Sequence, residues 1–155
     1  MMMRSLVAGT AAGAVGTAAL NVATYADMVL RGRPASEMPS TLVKIFATSL
    51  GIDALTAEGE AAENRRSGAG ALLGFVNGIG VGVAYGLLRP ALRGVPAFAG
   101  GVLAGVAAMA LSDVPATKTG ATDPSTWGAE GWIADIVPHL IYGLTLAYTF
   151  DVLDG

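Results

Sequence analysis

Between Gly68 and Leu88 the chain carries no charged residue and places glycine at 70, 74, 78, 82 and 86. Residues four apart lie along one face of a helix. A helix here therefore has a bare groove along its length. In water such a helix pays heavily for its glycines. In a bilayer, where helices are held by close contact and hydrogen bonds, small residues let backbones approach. This segment points to a membrane helix packed tightly against a neighbour.

Three more stretches have the same character. The expected spans are about 5–30, 68–88, 95–112 and 131–150, each near the roughly 20 residues that cross a bilayer. Of the 155 residues, 53% are hydrophobic and 14% charged, against about 25% charged in soluble domains. No stretch alternates as a strand would. The expected fold is an all-α, four-span membrane bundle in a single domain of residues 1–155. A cleaved leader is the alternative for the first stretch, but that stretch is too long and too low in leucine for a typical signal core.

Arg31-Gly-Arg-Pro34 ends the first span and opens a polar connection. Within it, residues 40–50 read as a short amphipathic helix with Leu42, Val43, Phe46, Ala47 and Leu50 on one face. It is too short to span and is expected at the membrane interface, or packed on the bundle. Glu58, Glu60, Glu63, Arg65 and Arg66 then form a solvated helical lead-in to the second span. Trp127 and Trp132 flank the fourth, as interfacial aromatics do.

The first span has its own small-and-polar line, Gly9, Gly13, Thr17, Asn21 and Tyr25, and the third has Ala97, Gly101 and Gly105. Gly9, Gly13, Gly70, Gly74, Gly78, Gly82, Gly86, Gly101 and Gly105 are the expected helix-packing positions. They serve either one bundle or a homodimer. Met28, Leu30 and Pro34-Ala-Ser36 match Met109, Leu111 and Pro115-Ala-Thr117 at one offset. Gly80, Ala84 and Tyr85 match Gly143, Ala147 and Tyr148 at another. A duplicated two-helix hairpin would produce such matches.

Polar groups inside the spans are few. Asn21, Asn77 and His139 lie eight or nine residues from one surface, roughly 12–13 Å deep at about 1.5 Å per residue. They form a candidate polar layer, with Gly105 leaving space beside them. Asp27, Asp113 and Asp135 form a candidate acidic mouth nearer that surface, and Tyr25 and Tyr142 add hydroxyls. Asp135 precedes His139 by four residues, so both share a face. Buried polar groups should face inward and pair. Two uses fit them: mutual bonds that fix helix register, or a cleft for a proton, cation or small polar ligand. Pro138 removes one backbone hydrogen bond beside His139.

Several functions are disfavoured. There is no cysteine, one histidine, and a net charge of −3. Disulfides and thiol chemistry are excluded. Nucleic acid binding lacks a basic footprint. No metal-ligand spacing occurs, no cofactor or metal is expected, and Gly68-Ala-Gly70 and Gly78-Ile-Gly80 follow no strand that would make a nucleotide loop. Asp135–His139 with a hydroxyl could be drawn as a triad, but helical spacing alone does not build one. The reading is a non-enzymatic accessory, assembly or scaffold protein; the alternatives are a small transporter or channel and, third, a lipid-acting enzyme. The expected partners are the bilayer and a second copy or larger complex. Arg4, Arg89 and Arg93 lie on one side and Arg31, Arg33, Lys44, Arg65, Arg66 and Lys118 on the other. The positive-inside rule places the long first loop in the cytoplasm of a cell-membrane protein.

Arg31-Gly-Arg-Pro-Ala-Ser36, Ser112-Asp-Val-Pro115, Asp123-Pro-Ser-Thr-Trp127 and Asp135-Ile-Val-Pro-His-Leu-Ile-Tyr-Gly143 together resemble small uncharacterised membrane proteins of high-GC actinobacteria. The last span alone is more faintly similar to the YagU-type inner-membrane family. The resemblance implies a fold and a location. It implies no activity and transfers no site residue.

Overall fold

The computed structural model describes residues 2–92 and 94–154. Arg93, one of the charges counted for orientation, lies outside the described residues. Among the described residues six α-helices follow in order: α1 Met2–Arg31, α2 Met38–Leu50, α3 Asp53–Thr56, α4 Glu60–Leu88, α5 Ala97–Lys118 and α6 Gly128–Asp154. A 3-10 turn, Pro124–Thr126, precedes α6. No strand occurs among the described residues. Helices α1, α4, α5 and α6 are long and apolar enough to cross a membrane.

The helices outrun the apolar segments that predict them. Helix α4 begins at Glu60, so the charged lead-in is helical from there, whereas Glu58 lies in the connection before it and pairs with Lys44 of α2 at 3.3 Å; Glu60 and Glu63 sit in its first turn, where the helix dipole favours acids. Arg66 donates to the carbonyls of Leu55 and Ala57, 3.1 Å each, and ties α3 to α4. Helix α5 continues through Pro115 to Lys118, past the expected stop at residue 112. A proline loses one bond but need not end a helix when only one turn remains. Gly51 (φ 68) and Gly120 (φ 76) turn the chain out of α2 and α5 in the left-handed region. The next residue returns a bond each time, Ile52 N–H to Ala47 and Ala121 N–H to Ala116.

Helix α1 packs along both α4 and α6, and α5 packs along α6. The fourth seam, between α4 and α5, is much looser. Glycine explains the tight ones. A Cβ on Gly13 would stand 2.8 Å from the carbonyl oxygen of Gly78, and Gly9 faces Gly82 more closely still. Gly86 backs onto Ser5 of α1. Across the α5–α6 seam, Gly101 and Gly105 face Gly143 and the His139 backbone. Pro34-Ala-Ser36 lies in an irregular connection, whereas Pro115-Ala-Thr117 is helical.

Large side chains come mainly from α6. Tyr142, Leu146 and Phe150 are fully buried among Ala8, Ala12, Ala104 and Ala108. Tyr85 meets Phe150 edge-on at 5.4 Å. The outer faces are apolar: Leu72 and Val76 are each 68% exposed. Large apolar side chains left on the outer faces of four span-length helices suit hydrocarbon as solvent. Helix α2 lies on α4 through Leu42, Val43 and Ala47, with Pro39 against Gly70. Gly74 meets no atom within 4 Å of where a Cβ would be.

Candidate functional site

The polar groups expected in one layer are built into the bundle separately. Asn77 donates its side-chain N–H to the Ala108 carbonyl at 3.1 Å, bridging α4 to α5. Tyr142 donates its hydroxyl to the Gly78 carbonyl at 2.6 Å, bridging α6 to α4. Its ring lies against Gly16, where a Cβ would stand 3.0 Å from the ring edge. Asn21 is half-buried and its side chain makes no hydrogen bond to the described residues. Asn21, Asn77 and His139 therefore make no bonds to one another. The room expected beside Gly105 is taken by the α6 backbone.

The acidic groups divide into two sets. Asp27 accepts both Nε and Nη2 of Arg31 at 2.6 Å, and also Arg33. Arg31 reaches on to the Glu130 carbonyl at 3.4 Å, tying the end of α1 to the start of α6. Tyr25 points outward, 60% exposed. Asp27 is thus held in a surface ion-pair cluster of its own.

Asp113 and Asp135 meet across the α5–α6 seam, and His139 joins them. Helix α6 places Asp135 and His139 one turn apart. His139 Nδ1 lies 2.8 Å from the Asp135 carbonyl oxygen and 3.2 Å from its Oδ1. To donate to the carbonyl, Nδ1 must carry the proton. The His139 and Asp135 side chains are only 15% and 18% exposed. From α5, the Ser112 hydroxyl stands 3.2 Å from Asp113 Oδ1 and 2.8 Å from the Met109 carbonyl. The remaining oxygens, Oδ2 of Asp113 and Oδ2 of Asp135, are buried and make no hydrogen bond. A buried carboxylate oxygen without a donor is costly, and two ionised carboxylates offer each other none. Among the described residues, no three acidic or histidine side chains take a metal-holding arrangement.

Residue spacing did not mark Ser112 as a site residue or Gly16 and Gly143 as packing positions. Gly143 stands one turn beyond His139, a spacing that places it on the same face. The Asp27–Arg31 pair also had a signal, the same four-residue interval.

At the other end of the bundle, Ser5 donates to Asp154 at 3.1 Å and Arg89 pairs with Asp151 at 3.3 Å. The loop after α5 is fastened by Asp123, which accepts the Ser125 N–H at 3.0 Å and hydroxyl at 2.7 Å. These two bonds hold the Asp123 carboxyl below the usual carboxylate range. Trp127 stacks obliquely on Trp132 at 5.0 Å.

No family model, curated protein or solved structure matches the chain.

Proposed function

We propose that the protein is a non-enzymatic, multi-pass protein of the cell membrane that binds and relays a proton at Asp113, Asp135 and His139. The observation that carries this reading is the pair of unpartnered Oδ2 atoms beside a histidine. One proton placed between two carboxylates lets one donate to the other and satisfies both oxygens. Histidine exchanges protons near neutral pH, and chains of Asp and His inside membranes serve as proton relays. Ser112 extends the line of hydroxyl and carboxyl groups on α5.

The long first loop faces the cytoplasm in this reading, by its excess of Lys and Arg. Helix α2 lies at that interface. Its support is the exposed apolar edge of Phe46 and Leu50, continued by Ile52 just past its end, with 72% of Leu50 uncovered. A homodimer would have to use a surface other than Gly78, Gly82 and Gly86, which α1 already covers.

The test is proton flux. Purified protein in liposomes carrying an internal pH dye should discharge an imposed pH gradient. Asp135→Asn and His139→Leu should return the rate to that of empty liposomes, and Asp123→Asn should leave it unchanged. Wild-type flux in His139→Leu discards the relay.

A scaffold is the second reading. It rests on Asn77 and Tyr142, whose bonds go to backbone carbonyls of neighbouring helices and lock their register. A scaffold keeps its copurifying partners in His139→Leu and shows no flux in either form.

A further inference from the structure

The loose α4–α5 seam contains a cleft of about 330 Å³ roofed by α2. Leu42 and Phe46 come from α2, Leu73 and Gly74 from α4, Leu111 and Pro115 from α5. Its walls are almost wholly apolar. The two polar side chains at its edge are engaged elsewhere: Asn77 donates to Ala108, and Ser112 reaches Met109. Water entering such a cleft would find too few partners.

Its floor is Gly74. This glycine belongs to the same stripe as Gly78 and Gly82 but touches nothing, whereas those two are pressed against α1. Its missing side chain creates volume instead of allowing contact. The size decides what fits. A helix with its side chains is about 10 Å across, so this volume would hold less than one turn of it. A thin flexible chain fits. Both long walls belong to helices apolar enough to cross a membrane. The rim is continuous with their outer surface through Val76 and Leu111, 68% and 59% exposed.

We propose that this cleft binds one acyl chain of a membrane lipid, held between α2, α4 and α5. The bound chain completes the packing that the α4–α5 seam lacks and seats α2 on the bundle. This site adjoins the acid–histidine cluster at Ser112, which edges both, and it does not depend on that cluster's role.

The experiment is lipid retention. Full-length protein is reconstituted in palmitoyl-oleoyl phosphatidylglycerol, extracted into detergent, stripped of loosely held lipid, and weighed by native mass spectrometry. Wild type should keep one lipid. Gly74→Phe should lose it at least tenfold, because its ring fills the cleft while its Cβ meets no atom. Leu72→Phe, on the outer face, should behave as wild type. Equal retention by Gly74→Phe, or none by wild type, overturns the proposal. A second measurement uses the wild-type chain alone. A phospholipid with a diazirine in its acyl chain, added to the stripped protein, should label Phe46 or Leu73 above outward-facing Leu103, although Leu103 is the more exposed. Uniform labelling also overturns it.

Discussion

Gly13 of α1 and Gly78 of α4 face each other so closely that a Cβ on Gly13 would come within 2.8 Å of the Gly78 carbonyl oxygen. The obstacle is backbone, which cannot swing aside as a side chain can. Gly13→Leu should therefore force α1 away from α4 and cost at least the roughly 1–3 kcal/mol of an overpacked core. Gly74→Leu, in the same stripe of α4, should cost less than a third as much. Unfolding of both variants in mixed micelles measures the contrast. Equal losses would mean that α1 does not lie on that face.

The Tyr142 hydroxyl donates to the Gly78 carbonyl, in the contact region of α1, α4 and α6. Tyr142→Phe keeps the ring against Gly16 and removes only the bond. Interhelical hydrogen bonds within membranes average about 0.6 kcal/mol and reach about 1.7. The variant should fall in that range, near the upper end because the site is fully buried. A loss above about 3 kcal/mol would show that the ring has shifted as well.

Asn77 and Asn21 sit at similar depth but should respond differently to leucine. Asn77→Leu removes the bond to Ala108 and loosens a seam that has few other contacts. Asn21→Leu removes no bond to the described residues. The first should lower the melting temperature by a few degrees in detergent, and the second should leave it unchanged or raise it. Equal effects would place a partner on Asn21.

Asp123 supplies a pH prediction outside the spans. Its carboxyl lies below the ordinary value because Ser125 donates to the ionised form. A group with a depressed folded-state value stabilises the fold above its unfolded value and loses that contribution as pH falls through the folded one. Carbon NMR of the Asp123 carboxyl should therefore give a midpoint below 3.8. Ser125→Ala should raise it. A midpoint at or above 3.8 in wild type would remove the turn from this account.

These contrasts locate what residue order makes legible. Spacing along one helix is a complete statement about that helix, so the glycine stripe of α4 and the Asp135–His139 contact can be read directly. Depth can be read too, by counting residues from a span's end. The turn of each helix about its own axis relative to its neighbours cannot. That rotation separates Gly74, which faces an open cleft, from Gly78, which faces α1. It also sends Asn77 to the Ala108 carbonyl instead of to Asn21 or His139. Asp27 shared the depth of Asp113 and Asp135, but Arg31 one turn away claimed its carboxylate. Ser112 enters the site only through the rotation of α5, a helix whose sequence marks no polar face around it.

The acid–histidine cluster should behave as one unit under mutation. His139→Leu takes away the group that faces both Asp135 and Asp113 and leaves two carboxyls pressed together in the seam. Removing one partner of a buried ionic set typically costs about 3–5 kcal/mol. Asp113→Asn added to His139→Leu relieves the confrontation and gives the orphaned Asp135 oxygen an amide donor. The double variant should therefore be more stable than His139→Leu alone, while Asp113→Asn in the wild-type background changes stability little. A double-mutant cycle by reversible unfolding should give a coupling of about 0.5–3 kcal/mol, the range for residues in one network. Additive losses would mean that Asp113 and His139 do not share a site, and the relay across the α5–α6 seam would fall with them.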